Sequence, residues 1–261
     1  MGKLATIKNR IYSDYLMPSR FDEYEEIIKK LKENGYKHIT FKDYKILFDD
    51  NKLDGKYFIN RHDIDTDVST AKKFFEIEKK YGVKATYYFR LSTLDFDFMK
   101  EIHEYGSEAS YHFEEIATFA KENHIKTTQE ILERLDEIKE IFKQNFKMIE
   151  NKLEFKLQTV CSHGDFVNRA LKIVNNEITK DTSLRKELEI LCETYDKDLM
   201  NSFNIYVSDR PYPVFYSPDN IINYIGKENI ICMLSHPRQW RSNIIVNSID
   251  NFKRIYEGLK W

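Results

Sequence analysis

The segment Arg61-His62-Asp63-Ile64-Asp65 carries two carboxylates two residues apart. On an extended chain, residues i and i+2 point the same way, so both would face one site. Like charges held that close favour a bound cation, or else one proton shared between them. The histidines add a second signal. Of the seven, His62, His112, His163 and His236 each directly follow a run that reads as a strand. In a parallel α/β fold the C-terminal strand ends form one rim, and active sites sit there. Hard carboxylate oxygens with imidazoles suit Zn²⁺ or another divalent transition metal, with Co²⁺, Ni²⁺ or Mn²⁺ as alternatives. One aspartate can then hold the ion while the other takes a proton from water. A simpler reading has Asp65, Asp67 and Ser69 capping the next helix. It accounts for Asp67 or Ser69, but not for a charged Asp63 after a strand and a histidine. His38, His103 and His124 lie at a strand start or on helices and read as structural or surface residues.

These side chains need a scaffold, and the chain alternates short β-branched or aromatic runs with helical patterns. A helix is expected from Ser19, with Asp22 in a capping arrangement, a stripe of Tyr24, Ile27, Ile28 and Leu31, and a stop at Gly35. Strands are expected at His38 to Phe41, Lys56 to His62, Val83 to Arg90, Ser107 to His112, Phe155 to Cys161, Phe203 to Val207 and Ile230 to Leu234. Helices are expected from Ser69 to Gly82 and from Asp95 to Tyr105. The strongest helical pattern runs from Thr127 to Ile149, where Thr127 and Glu130 form a capping box. A helix around Leu184 to Tyr195 completes the reading. Strands separated by helices pair in parallel through crossovers. The fold class is therefore α/β: a distorted, incomplete (β/α) barrel of about seven parallel strands, in a single domain over residues 1–261. A doubly wound open sheet is the alternative.

Composition narrows the function classes. A formal charge of −2 over 261 residues gives no electrostatic reason to expect nucleic acid. No apolar run is long enough to span a bilayer, so no integral membrane segment is expected. Cys161, Cys192 and Cys232 cannot all pair, which suits a reducing, cytoplasmic setting. The N-terminal Met1 to Thr6 has no apolar core of a secretory signal, and it matches the permissive myristoylation pattern.

Three segments carry a family resemblance: Arg61 to Asp65, Glu76 to Phe89 with its Tyr81-Gly82-Val83, and Gly106-Ser107-Glu108-Ala109-Ser110-Tyr111-His112. In this order and spacing they resemble the polysaccharide deacetylase family, also called carbohydrate esterase family 4. More narrowly, the chain resembles its divergent intracellular branch with an "HDxD" first motif, often linked to surface-glycan pathways. The resemblance runs from about Phe21 to Trp240. It implies a distorted seven-stranded (β/α) barrel with Asp63 as catalytic base, Asp65 and His112 as metal ligands, and His236 as general acid or its helper.

Two departures from the family pattern matter. The second motif usually continues to a histidine four residues on, where this chain has Ile116. The usual third-motif arginine, which orients the base, is also missing; Cys161-Ser162-His163-Gly164-Asp165 stands in its place. His163 is inferred as the replacement ligand, giving an Asp65/His112/His163 site with Glu115 as the rival. Cys161 reads as a buried strand residue, pointed away from its neighbour. Arg61 and Arg90, each at a strand end, are candidates to pair with Asp63, with Arg90 also a candidate for an anionic substrate group. Trp240 reads either as a platform for a sugar ring or as a barrel lid.

The implied function is removal of an acetyl or other acyl group from a sugar, nucleotide-sugar or lipid-linked glycan, through metal-activated water. The partner is a small-molecule or glycan substrate. Two rivals stand beside it: a same-fold hydrolase of a non-sugar C–N bond such as a cyclic amide or ureide, and a catalytically degenerate glycan- or partner-binding protein.

Overall fold

The computed structural model describes residues 3–261; Met1 and Gly2, which open the myristoylation match, lie outside them. Among the described residues nine strands build one sheet: β1 (Lys37–Ile39), β2 (Tyr57–Ile64), β3 (Thr86–Phe89), β4 (Glu108–Phe113), β5 (Thr159–Ser162), β6 (Cys192–Glu193), β7 (Ile205–Asp209), β8 (Tyr216–Ser217) and β9 (Ile230–Ser235). Their order is β6-β5-β4-β3-β2-β9-β7-β8. The run from β6 to β7 is parallel throughout, and β8 returns antiparallel to β7. β1 pairs with the first half of β2, through Tyr57 to Ile59, and β3 with the second half, through Arg61 to Ile64. The sheet curls without closing, so the molecule is a distorted, incomplete (β/α) barrel.

β2 is buried along its whole length because it has a core on each side. Phe58 and Ile64 pack outward with Tyr24, Phe74, Phe75 and Tyr87, under the helices Phe21–Glu33 and Val68–Tyr81. Tyr57 and Ile59 turn inward with Phe41, Tyr44, Phe203 and Cys232, which fill the bottom of the barrel. The two-residue period of a strand then carries Arg61 and Asp63 up the inner face. The same alternation on β4 sends Ala109, Tyr111 and Phe113 to the outer core and leaves Glu108, Ser110 and His112 inside.

Several expected elements differ. Phe41 does not end a strand; Thr40 accepts a hydrogen bond from the Asp43 amide and caps a helix, Phe41–Asp49. Ser19 is not the cap of the first expected helix, because Arg20 takes the N-cap position without a side-chain bond. The long helical pattern breaks at Arg134 (φ −110°, ψ 14°), which splits it into Thr128–Glu133 and Leu135–Leu153. Residues 184–195 hold the end of a short helix, Thr182–Glu187, and then the edge strand β6. The C-terminal helix Ile244–Lys260 had no counterpart in the sequence reading.

Candidate metal centre

The site lies at the C-terminal end of β2. Arg61 and Asp63 share its inner face, and the guanidinium forks onto the carboxylate: Nε donates to Oδ1 at 2.8 Å and Nη2 to Oδ2 at 2.7 Å. Both side chains are buried. Tyr195 stacks its ring 4.4 Å from the guanidinium carbon. Burial alone would push the Asp63 carboxyl up; the Arg61 charge, helped by His112, outweighs it and brings Asp63 to about 2. The carboxylate is thus fixed in direction and ionised.

Asp65 follows β2 and meets His112, from inside β4, and His163, just after β5. Asp65 Oδ1 lies 3.2 Å from His112 Nε2 and 3.0 Å from His163 Nδ1, and the two ring nitrogens are 3.2 Å apart. The rest of each residue is already engaged. His112 Nδ1 is 3.0 Å from the Cys161 carbonyl. A carbonyl accepts only from N–H, so the proton sits on Nδ1 and Nε2 presents a lone pair. The His163 backbone is pinned from both sides: its amide donates to the Phe113 carbonyl at 2.8 Å, and its carbonyl accepts from Asn175 Nδ2 at 2.6 Å.

These three atoms fit a divalent ion. Asp65 Oδ1 is buried and makes no aligned hydrogen bond, despite the two nearby nitrogens. Lone-pair atoms crowded this way repel unless a cation or proton lies among them. Bonds of about 2.0–2.1 Å in tetrahedral geometry place neighbouring ligand atoms roughly 3.3–3.4 Å apart, close to the observed triangle. Other groupings of potential ligands fit less well. Glu114 and Asp165 also approach His163, but Glu114 takes a fork from Arg90. Asp165 caps the helix Phe166–Leu171 and pairs with Lys121 at 3.2 Å. Cys161 joins Asp63 and His112, but burial pushes its thiol well up, so it stays protonated.

The capping alternative separates cleanly by residue. Asp67, not Asp65, is the N-cap of the helix Val68–Tyr81, accepting from the Thr70 amide at 3.1 Å and from the Ser69 and Thr70 hydroxyls. Asp65 is left for the site.

On the opposite wall, His236 follows β9. Its Nδ1 lies 2.6 Å from Asp209 Oδ1, and its amide donates to Asp209 Oδ2 at 2.6 Å. Burial would lower the imidazole's pKa; Asp209, then Asp65 and Asp63, more than offset this and raise it to about 9. His236 is therefore a cation near neutral pH.

Two expectations need correction. Trp240 is fully buried and makes no platform for a sugar: it packs edge-on against Tyr24 and Phe74, and its indole N–H donates to Asp209 Oδ2 at 2.9 Å. Arg90 does not reach Asp63; Glu114 holds it, and its Nη1 donates to the Asp65 carbonyl at 3.2 Å. Cys161 is a buried strand residue turned opposite to Val160, as alternation implies, and the face it takes is the one that lines the site. It shares the inward face of its strand with His163, two residues on, and its Sγ lies 3.6 Å from Asp63 Oδ2. The rival ligand Glu115 is buried on the helix Glu115–Glu122, where it accepts from Tyr111 Oη at 2.5 Å and Asn145 Nδ2 at 3.0 Å. His62 turns outward, as alternation requires, and its Nε2 meets Glu78 at 2.8 Å and Asn60 at 3.0 Å.

Asp209 is the site residue that the sequence reading missed. Its signal was an acidic residue just past an apolar run, the same signal that singled out Asp63. A cavity of about 680 Å³ opens beside Asp65 and His163, walled by Arg90, Phe166, Arg169 and the C-terminal helix.

No family model and no curated protein sequence matches the chain. Solved structures do. One is Streptococcus pyogenes deacetylase PplD in complex with acetate, at 16% identity and a TM-score of 0.41, covering 58% of this chain and 67% of that one. Another is a CE4 family pseudoenzyme from Bacillus anthracis, at 14% identity and a TM-score of 0.41, covering 78% of this chain and 62% of that one. A mutant of that pseudoenzyme with restored enzymatic activity matches equally, at 14% identity and 0.41, covering 79% and 65%. The chain spans about two thirds of the length of each.

Proposed function

We propose that this protein is a metal-dependent hydrolase that removes an acetyl or other acyl group from a sugar, nucleotide-sugar or lipid-linked glycan. The observation that carries the reading is the triangle of Asp65 Oδ1, His112 Nε2 and His163 Nδ1, with 3.0–3.2 Å edges, beside an arginine-held carboxylate. Asp65, His112 and His163 would hold one divalent ion, zinc first. When bound, such an ion acidifies water and polarises a carbonyl.

The chain's own groups divide the remaining work. Asp63 accepts the proton of the attacking water. Arg61 takes both carboxylate oxygens, which fixes their direction and keeps the group ionised. His236, charged by Asp209, faces the two aspartates and delivers a proton to the departing amine or alcohol. Trp240 and the His236 amide hold Asp209 in turn. Arg90 fixes the backbone at Asp65 rather than touching substrate. A cavity of about 680 Å³ accommodates a sugar-sized ligand.

The test is acetate release from N- and O-acetylated sugars and nucleotide-sugars by the zinc-loaded protein. Asp63→Asn should abolish release while the metal stays bound. Undiminished turnover in that variant would remove Asp63 as the base. The absence of turnover on any acylated sugar, with metal bound, would move the reading to a non-sugar C–N bond or to a binding role.

A further inference from the structure

The C-terminal helix Ile244–Lys260 has its polarity reversed. Its inward face is polar: Asn247 donates to the Asp14 carbonyl at 2.8 Å, Asp250 pairs with Arg238, and Glu257 pairs with Lys121 at 3.0 Å. Its outward face is apolar. Ile245, Ile249, Phe252, Tyr256 and Leu259 recur at spacings of four and three, so they form one stripe. All five are exposed, with Phe252 at 73% and Leu259 at 84%. A helix covered only by water places its apolar stripe inward; this one requires a cover on the other side.

Charge identifies the cover. The acidic side chains of this helix are turned in and paired, while Lys253 and Lys260 border the outward stripe. Arg254 belongs to the inward side, where it pairs with Asp250 at 2.8 Å, and Lys253 Nζ stands 3.9 Å from Glu257, so the charges beside the stripe itself are Lys253 and Lys260. A second copy of the chain would bring the same cations together across the seam. An anionic lipid surface meets both features, taking up the apolar stripe between the acyl chains and pairing the flanking lysines with head groups. No helix of the described residues is long and apolar enough to cross a membrane, and lying flat needs no such helix.

We propose that the outward face of helix Ile244–Lys260 docks on the surface of an anionic bilayer. The flank of the same helix, at Val246, Ile249 and Lys253, walls the cavity beside Asp65 and His163. Docking therefore sets that cavity next to the lipid head groups. The proposal is independent of the hydrolytic reading, because it needs neither a metal nor turnover.

The test is co-sedimentation of the full chain with vesicles of phosphatidylcholine and phosphatidylglycerol in equal parts, against pure phosphatidylcholine. Binding to the mixed vesicles is expected, weakened by salt and at least roughly ten-fold weaker on the neutral ones. Phe252→Ser/Leu259→Ser and Lys253→Glu/Lys260→Glu should each reduce it about ten-fold or more, with an unchanged melting curve because these side chains project into solvent. Equal binding to both vesicle types, or variants that bind like the parent, would overturn the proposal. So would the absence of vesicle binding together with a dimer that Phe252→Ser/Leu259→Ser dissociates, which would assign the face to a second copy.

Discussion

Arg61 and Asp63 lie two residues apart on one strand, yet they form a two-bond fork at 2.7 and 2.8 Å inside the barrel. Strand alternation puts them on the same face, and burial makes each dependent on the other. An uncompensated buried charge is costly, and breaking such a pair by removing one partner destabilises by about 3–5 kcal/mol. Arg61→Met should show a loss of that size in denaturant melts. Arg61→Met/Asp63→Asn should recover part of it, because the stranded charge is gone. A double variant no more stable than Arg61→Met would contradict this account of the pair. Arg61→Lys keeps the charge but loses the fork, so it should fold with metal bound and turn over more slowly.

Asp209 sets the proton on His236. The imidazole titrates near 9 because Asp209, aided by Asp65 and Asp63, outweighs burial. In its proposed role as the acid it would work only below its pKa, so turnover should fall as pH rises through that region. Asp209→Asn removes the largest opposing charge and should move the alkaline limb of kcat to lower pH. A pH profile identical to the parent's would separate His236 from proton delivery. Trp240→Phe keeps the ring packing but removes one donor from Asp209; it should change the same limb by less and leave KM nearly unaltered. A large rise in KM alone would restore a substrate-stacking role for Trp240.

His62 belongs to the motif by sequence and to the outer core by position. It meets Glu78, Asn60 and Tyr24, on the face opposite Asp63. His62→Ala leaves Glu78 short of a partner, so it should cost about 1–3 kcal/mol of stability. Metal stoichiometry should not change. A loss of metal without a loss of stability would place His62 in the site instead.

The parts of this structure that were legible in the sequence are those where local pattern and tertiary environment agree. The runs around β2, β4 and β9 read as strands because buried strands are apolar, and alternation sorted Asp63 and Asp65 from His62. Pattern failed where a distant element decided. Trp240 sits after a rim histidine and reads as exposed, but Tyr24 and Phe74, more than 160 residues earlier, bury it. Arg90 reads as a partner for Asp63 until Glu114 is brought beside it by the next strand. Phe41 reads as a strand residue because nothing in its own type reveals that Thr40 caps a helix there. The sequence reading gave no role to Ile244–Lys260. Its apolar period is clear, but its polar face is the one that turns inward.

The central claim is the proposal that Asp65, His112 and His163 together hold one divalent ion. Metal content after loading with zinc and exhaustive dialysis, measured by mass spectrometry on the parent, His163→Ala and Asp63→Asn, tests it directly. The account predicts a single equivalent in the parent, its loss in His163→Ala, and its retention in Asp63→Asn. Full occupancy in a folded His163→Ala variant, or no ion in the parent with zinc, cobalt, nickel or manganese, would contradict it.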